Sequence, residues 1–310
     1  MEKKDIFKES EFKKGAKSIK ISLVILGLFL IAQIVGLFII ENGIVPELFR
    51  YNGETISPMS MFLNMIVSFV LAITIFFFLI QYKWKSLLKV WFALVILLTL
   101  AISINTFFYM NHLEGNQYFL YSLLIALPFV LLKIFRPSII IHNFTEIFIY
   151  SGLSLVFVNI LSPVYIILIL ILISFYDMWA VWHSGIMQKM AKFQMNEIKI
   201  FNGFLIPHLT PELRKKLEES KKKKKRLKIK VPIALLGGGD IAFTMIPAGV
   251  FLKSFGWILA LFVVFGGLLG LIYLMFNSNK KRFYPAMPFI TLGIFLMMGI
   301  YFLLIHFGLL

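Results

Sequence analysis

Cysteine is absent from this 310-residue chain, and histidine is scarce. The absence of cysteine excludes disulfide bonds, thiolate metal sites and a cysteine nucleophile together. The five histidines are scattered along the sequence: His112, His142, His183, His208 and His306. They do not have the close spacing of a zinc-protease motif such as HExxH, so we expect neither a metal site nor a cofactor.

Acidic residues are few, whereas apolar residues are abundant. The chain has 15 Asp and Glu against 31 Lys and Arg, and three of the acids are Asp. Hydrophobic residues make up 60% of the chain, 34 residues are Phe, and the mean hydropathy is +0.89. Since a soluble domain is closer to half apolar, the composition predicts an integral membrane protein.

Long apolar stretches divide the sequence into candidate membrane spans. A helix needs about 20 mostly apolar residues to cross the hydrocarbon core of a bilayer. Nine stretches meet this requirement, and we predict an all-α, polytopic membrane protein with nine transmembrane helices. The predicted spans are 19–40, 59–80, 87–109, 118–134, 138–159, 163–183, 231–252, 256–276 and 285–309.

The positions of Lys and Arg indicate the orientation in the membrane. With the N-terminus in the cytoplasm, 29 of the 31 basic residues fall in cytoplasmic segments, and Arg50 and Lys253 lie outside. Cytoplasmic loops typically carry such an excess. We therefore predict a cytoplasmic N-terminus, an extracytoplasmic C-terminus and a location in the cell membrane. The net charge of +16 indicates attraction to anionic lipids of the inner leaflet, and nucleic-acid binding is not expected.

The spans divide the chain into three parts. Residues 1–183 and 231–310 form two membrane bundles, and 184–230 is a basic cytoplasmic loop between them. The run KKKKKR in this loop is typical of a solvated, lipid-facing linker. At 226–232, the sequence RLKIKVP alternates apolar residues, including Ile229, with lysines. This period-2 pattern predicts a short strand directly before the seventh span.

Two aspartates, Asp177 and Asp240, fall inside the predicted sixth and seventh spans. A charge in the membrane interior is costly and needs compensation. Because the two spans are consecutive and antiparallel, we expect both carboxyls at similar depth on neighbouring helices, with no Lys or Arg at that depth. Two such acids cannot both ionise at close range, so one keeps its proton. A neutral and an ionised carboxyl together are what aspartic-protease chemistry requires.

Three consecutive glycines, Gly237, Gly238 and Gly239, precede Asp240. Each glycine costs a helix about 1 kcal/mol relative to alanine. Together they let a neighbouring backbone approach closely and let the chain loosen beside the acid. Ordinary close packing of two helices is the alternative explanation for the three glycines.

An ion channel or a proton-coupled transporter is the main alternative function. Glu146 is the other acid near membrane depth, and its i, i+4 spacing from His142 allows both side chains to share a helix face. Together with the two aspartates, they would form an ion path. A position at the membrane interface is the simpler explanation for both residues.

Three short motifs resemble those of a known family. Tyr176-Asp177, Gly237-Gly238-Gly239-Asp240 and Pro285-Ala286-Met287-Pro288 resemble the YD, GxGD and PAL motifs of the presenilin and signal-peptide-peptidase intramembrane aspartyl proteases. They lie on the sixth, seventh and ninth of nine predicted spans, as in that family. The cytoplasmic N-terminus and the PAMP form resemble the presenilin branch, as in a microbial homologue. Prepilin-type peptidases also use a GxGD sequence but lack a PAL-like element on a final span.

The resemblance implies a role for each motif. Asp177 and Asp240 would be the catalytic pair, with Tyr176 packed next to Asp177. The glycines would shape the site beside Asp240, where Gly238 stands at the variable position of the motif. Four residues would position the substrate: Pro285, Ala286, Met287 and Pro288. Met287 replaces a leucine of the family motif with a side chain of similar volume.

The resemblance also implies the substrates, which would be single-span membrane proteins with their N-terminus outside the cell. A substrate helix must unwind before water attacks, and the strand at 226–232 would accept the unwound segment as an added strand. Ile229→Pro is therefore expected to abolish cleavage while the protein stays inserted. Segment 184–230 shows no clear apolar insert to act as a plug, so we expect activity without maturation. The chain would act by itself, as a homo-oligomer or with partner subunits.

Overall fold

The computed structural model describes residues 19–47, 58–82, 84–136, 138–184, 201–207, 233–277 and 284–309. Within these residues the chain forms nine α-helices and two β-strands. The helices are α1 (Ile19–Asn42), α2 (Pro58–Gln81), α3 (Lys85–Met110), α4 (Asn116–Phe135), α5 (Ile139–Val158), α6 (Pro163–Trp179), α7 (Gly238–Phe255), α8 (Trp257–Asn277) and α9 (Met287–His306). The strands are β1 (Gly203–Pro207) and β2 (Ile233–Gly237), and a π-helical turn, Ala180–Ser184, extends α6.

Seven of the described helices are long and apolar enough to cross a membrane, namely α1, α3, α4, α5, α6, α8 and α9. They match seven of the predicted spans and identify a multi-pass integral membrane protein. The helices α2 and α7 stand at the other two predicted positions. Helix α7 has 18 residues. Because two of them are Asp240 and Lys253, it is less apolar than the other helices. The count of nine spans, with its topology, stays a prediction.

The seventh predicted span differs most from the structure. Instead of one helix over 231–252, the chain forms β2 and then turns into α7 at Gly238. Gly237 precedes the helix in an extended conformation, with φ −63° and ψ 141°. Consecutive glycines weaken a helix, so the helix begins among them rather than continuing through them. Asp240 consequently lies in the first turn of α7. The described chain is mostly helical, but the expectation of an all-α fold was wrong for this two-stranded sheet.

The predicted cytoplasmic loop 184–230 also contains secondary structure. Its residues Gly203–Pro207 form β1, which pairs antiparallel with β2, so that Phe204 lies opposite Leu236. Phe204 is fully buried and Ile206 is 6% exposed. The loop therefore contains a buried apolar strand that was not predicted from the sequence. The predicted strand at 226–232, with Ile229, lies outside the described residues.

Helix α7 lies at the centre of the described bundle and contacts α1, α5, α6 and α8. Twelve of its 18 residues are buried. Helix α9 packs against α8 on one side and against α6 on the other. The ends of α6, α7 and α9 that carry the three motifs are thus held together by helix packing.

Small residues let α8 and α9 pack backbone against backbone. A methyl group added to Gly266 would overlap the carbonyl oxygen of Gly293, and one added to Gly293 would overlap the carbonyl oxygen of Gly266. Gly270 meets the backbone of Phe289 and Ile290 in the same way. Such contacts are a common means of association between membrane helices. They hold the first turn of α9, which carries the PAMP motif, in place.

Gly293→Ala is expected to destabilise the protein by about 1–3 kcal/mol, because the added methyl meets backbone that cannot rotate away. The matched control is Gly299→Ala on the same helix, where the space around the glycine is open. The control should gain up to about 1 kcal/mol of helix propensity. Thermal unfolding in detergent measures both changes, and equal midpoints would contradict the backbone contact of α8 with α9.

Candidate active site

Asp177 lies near the C-terminal end of α6 and is 4% exposed. Its Oδ2 accepts a hydrogen bond of 3.0 Å from the backbone N–H of Met287, the first residue of α9. The first N–H groups of a helix have no partner within the helix, so a carboxylate there is well placed. The YD and PAMP motifs, which are 110 residues apart, therefore meet through a direct hydrogen bond.

A second contact between α6 and α9 lies one helical turn away. The hydroxyls of Ser174 and Thr291 are hydrogen-bonded, with an O–O distance of 2.8 Å, and both side chains are buried. Ser174 is three residues before Asp177, and Thr291 is four residues after Met287. The two contacts together fix the rotation of α6 relative to α9, and so fix the direction of the Asp177 side chain.

Asp240 lies in the first turn of α7, where the helix dipole favours a negative charge. Its carboxyl group turns back over Gly237, so that a Cβ added to Gly237 would lie 3.3 Å from Asp240 Oδ2. The main-chain carbonyl of Asp240 accepts a hydrogen bond of 2.9 Å from the Thr244 hydroxyl. A side chain at Gly237 would therefore crowd this carboxyl group, whereas the backbone conformation there, with φ −63°, is open to any residue.

The structure brings the two acids together at the contact between α6 and α7. The carboxyl groups of Asp177 and Asp240 lie within range of direct electrostatic interaction. One acid comes from the end of a helix and the other from the beginning of the next helix in the bundle. Like charges at this range disfavour ionisation of both carboxyls at once.

The three glycines before Asp240 differ in their surroundings. A methyl group on Gly238 would overlap the hydroxyl of Tyr150, a buried residue of α5. A methyl group on Gly239 would meet only the Phe243 ring, at 3.9 Å, and Gly239 is exposed. Gly238 is therefore the glycine that lets a neighbouring helix approach the turn before Asp240.

Gly238→Ala is expected to lower cleavage activity by about tenfold or more, because the added methyl pushes the turn before Asp240 away from α5. Gly299→Ala on α9, where the space around the glycine is open, is the control and should retain activity close to wild type. Adding Tyr150→Phe to Gly238→Ala removes the overlapping hydroxyl and should restore part of the loss. Initial rates of cleavage measure all three variants. Equal activity of the two alanine variants would contradict the contact with Tyr150.

The PAMP residues form the start of α9. Pro285 is buried, Met287 is 4% exposed, and Ala286 and Pro288 are partly buried. Pro288 stands in the first helical turn, where its missing N–H would have had no partner. The motif therefore both initiates the helix and presents the N–H of Met287 to Asp177.

The side chain of Tyr176 does not pack beside Asp177. It is 56% exposed, and its ring lies 6.3 Å from the ring of Trp179 on the same helix. Consecutive residues of a helix point about 100° apart, so Asp177 faces the bundle while Tyr176 faces outward. The predicted packing of Tyr176 was wrong, and Ile229, the other predicted contact residue, lies outside the described residues.

Glu146 and His142 of α5 lie in a buried cluster that is separate from Asp177 and Asp240. His142 and Glu146 share one helix face, as their spacing predicted, with His142 Nε2 3.7 Å from Glu146 Oε1. Glu146 forms an ion pair with Lys133 of α4, and both side chains are almost fully buried. This buried cation, which lies at the end of the predicted fourth span, was not expected from the sequence. Lys133 neutralises Glu146 rather than the aspartates.

Sequence reasoning missed Tyr150 and Lys133 as parts of the site's surroundings. Tyr150 continues the face of α5 that carries His142 and Glu146 at steps of four residues. That spacing was a signal in the sequence. Lys133 gave no such signal, because a lysine in the last turn of an apolar helix usually reaches the membrane interface.

Comparisons with known proteins agree with the motifs. None of the curated proteins matches the chain. Among solved structures, that of a presenilin family intramembrane aspartate protease is similar, with a TM-score of 0.57 and 15% sequence identity over 90% of this chain and 95% of that one. At this identity the likeness shows the fold. The family model described as signal-peptide peptidase, presenilin aspartyl protease matches residues 26–307. The chain therefore belongs to the signal-peptide-peptidase and presenilin family of intramembrane aspartyl proteases.

Proposed function

We propose that the protein hydrolyses peptide bonds within the transmembrane segment of single-span membrane proteins, with Asp177 and Asp240 as the catalytic pair. One observation carries the proposal: the two carboxyls come together at the junction of α6 and α7 in a chain of this family. Neither the YD nor the GGGD motif alone would be enough to support a protease function, since short motifs occur by chance.

The proposed reaction uses one ionised and one protonated carboxyl. The ionised carboxylate takes a proton from a water molecule, whose oxygen attacks the carbonyl carbon of the substrate peptide bond. The protonated carboxyl gives its proton to the carbonyl oxygen as the tetrahedral intermediate forms. The intermediate then breaks its C–N bond: the first acid returns its proton to the leaving nitrogen, and one hydroxyl of the intermediate returns a proton to the second acid. A new carboxyl and a new amine result.

Strand β2 supports a mode of substrate binding. It ends at Gly237, three residues before Asp240, and its edge away from β1 carries no third strand within the described residues. A locally unwound substrate can pair with this edge by main-chain hydrogen bonds, as peptides do when they extend a sheet. We assign this role to β2, in place of the strand expected at 226–232. The PAMP residues would form the opposite wall of the site.

The orientation belongs to the same proposal. Nine spans with a cytoplasmic N-terminus and an extracytoplasmic C-terminus agree with the distribution of Lys and Arg. This orientation is that of the presenilin branch and implies substrates whose N-terminus lies outside. The basic cytoplasmic segments would bind anionic lipids of the inner leaflet.

The proposal is tested with purified protein in liposomes that contain a single-span substrate labelled at both ends. We expect two complementary fragments whose new ends lie within the substrate's transmembrane segment. A peptide mimic of the tetrahedral intermediate, with a hydroxyl in place of the scissile carbonyl, should block the reaction. Ion flux measured in the same liposomes addresses the channel alternative. Flux without any fragment would overturn the proposal.

A further inference from the structure

One side chain of α5 occupies the outer edge of β1 as a neighbouring strand would. The amide nitrogen of Asn143 donates a hydrogen bond of 2.8 Å to the carbonyl oxygen of Leu205. Its amide oxygen accepts a hydrogen bond of 2.9 Å from the backbone N–H of Leu205. A strand partner makes this same pair of bonds across an antiparallel ladder.

Two further side chains of α5 bind the next outward-facing residue of β1. Glu146 Oε2 accepts a hydrogen bond of 3.2 Å from the backbone N–H of Gly203. His142 Nε2 lies 2.8 Å from the carbonyl oxygen of Gly203, and since a carbonyl can only accept, this nitrogen carries the proton. Gly203 has a φ of +134°, and a Cβ there would overlap the carbonyl of Leu236. We call His142, Asn143 and Glu146 the α5 clamp.

The α5 clamp determines which edge of the sheet stays open. Backbone groups of a strand point alternately to the two sides. Since Gly203 and Leu205 bind the clamp, Phe204 and Ile206 bond to β2. The N–H of Gly238 is 3.3 Å from the carbonyl of Asn202, which continues the same alternation. Both edges of β1 are thus occupied, and among the described residues no strand pairs with the outer edge of β2, which remains for an added strand.

We infer that the α5 clamp fixes the register of β1 against β2 and thereby holds β2, whose outer edge would receive the substrate, in place before Asp240. Side chains along a strand alternate between the two faces of a sheet. A shift of β1 by two residues along β2 would therefore leave each side chain on the same face as before. The clamp opposes such a slip, because only Gly203 and Leu205 fit it. His142, Asn143 and Glu146 act as positioning residues. The consequence for cleavage rests on the proposed function, whereas the consequence for register does not.

The register can be measured directly because the chain contains no cysteine. Leu205 lies opposite Leu235, and the Leu205→Cys/Leu235→Cys pair should form a disulfide in the native register. The Leu205→Cys/Ile233→Cys pair should form one only after a slip of two residues. Adding Asn143→Leu, which removes both amide bonds at nearly constant volume, should lower the first crosslink severalfold and raise the second. Asn159→Leu is the matched control, since that amide bonds only within α5.

Cleavage products supply the second readout. With Asn143→Leu, kcat/KM should fall about tenfold, because β2 loses the support of a fixed β1. Mass spectrometry should find the main cleavage site unchanged, since β2 stays joined to Asp240 through Gly238 and Gly239. Asn143→Asp, which keeps the acceptor and loses the donor, should have an intermediate effect. Unchanged crosslinks in the Asn143→Leu variant would overturn the inference, and so would moved crosslinks with an unchanged kcat/KM. If the wild-type protein cuts no substrate, moved crosslinks still support the register, and the proposed function is refuted.

Discussion

Asp177→Asn and Asp240→Asn are each expected to reduce cleavage by about a thousandfold or more. Each change removes one partner of a proton exchange, and general acid–base steps contribute about 10²–10⁴-fold to rate. Asparagine keeps the size of the side chain, and at Asp177 it can still accept the N–H of Met287. The loss should therefore appear in kcat, measured by initial rates over a range of substrate concentrations.

The two aspartates should also act as a unit. If one carboxyl cannot catalyse without the other, the double variant should be no slower than either single variant, as in other groups that share one step. Asp5→Asn is the matched control, because Asp5 is the third aspartate of the chain and lies in the basic N-terminal tail. Full activity after either single change would remove the basis of the proposed mechanism.

The helical part of the fold could be predicted because the membrane leaves few choices. In lipid every backbone N–H and C=O must be paired within the chain, so an apolar stretch of about 20 residues becomes a helix. Seven of the predicted spans correspond to helices of that kind. The positions of Asp177 and Asp240 indicated a functional site for a related reason, since a charge in an apolar stretch is rare and costly.

The short sheet could not be predicted from hydropathy. Residues 233–237 are as apolar as a membrane-spanning helix, and a run of five apolar residues does not distinguish a strand from a helix. Its partner β1 lies within a basic loop, and only the sequence NGFLIP, an Asn-Gly turn signal before apolar residues, indicates a strand there. What stabilises β1 is the α5 clamp, and a lone asparagine or histidine gives no indication of a partner about 60 residues away.

The buried ion pair was missed for a physical reason as well. Lys133 was assigned to a cytoplasmic loop, since lysines at the end of a span usually extend to the interface. In the structure its Nζ contacts both Glu146 and Thr145, whose hydroxyl lies at 3.2 Å, and its side chain is 3% exposed. The compensation that a membrane acid requires is thus present for Glu146. For Asp177 and Asp240, the proposed catalytic pair, the described residues show no ion pair, and Asp177 is instead stabilised by the N–H of Met287.

Lys133→Met is expected to destabilise the protein by about 3–5 kcal/mol, because removing one partner of a buried ion pair leaves the other charge without compensation. Methionine keeps the apolar stem of the side chain, so lost packing contributes little. Glu146 then lacks its counter-ion, and the uncompensated buried charge destabilises the contact of α5 with α4 and β1, so cleavage activity should fall together with stability.

The double variant Lys133→Met/Glu146→Gln separates charge from hydrogen bonding. Glutamine keeps an oxygen to accept the N–H of Gly203 but carries no charge, so the buried site becomes neutral. Neutral replacement of a buried ion pair is often harmless or even stabilising. We therefore expect the double variant to unfold near the wild-type midpoint and above the single Lys133→Met variant, as measured by thermal unfolding in detergent. If the double variant were the least stable of the three, the ion pair itself would be the stabilising element, and the hydrogen bond to β1 would be secondary.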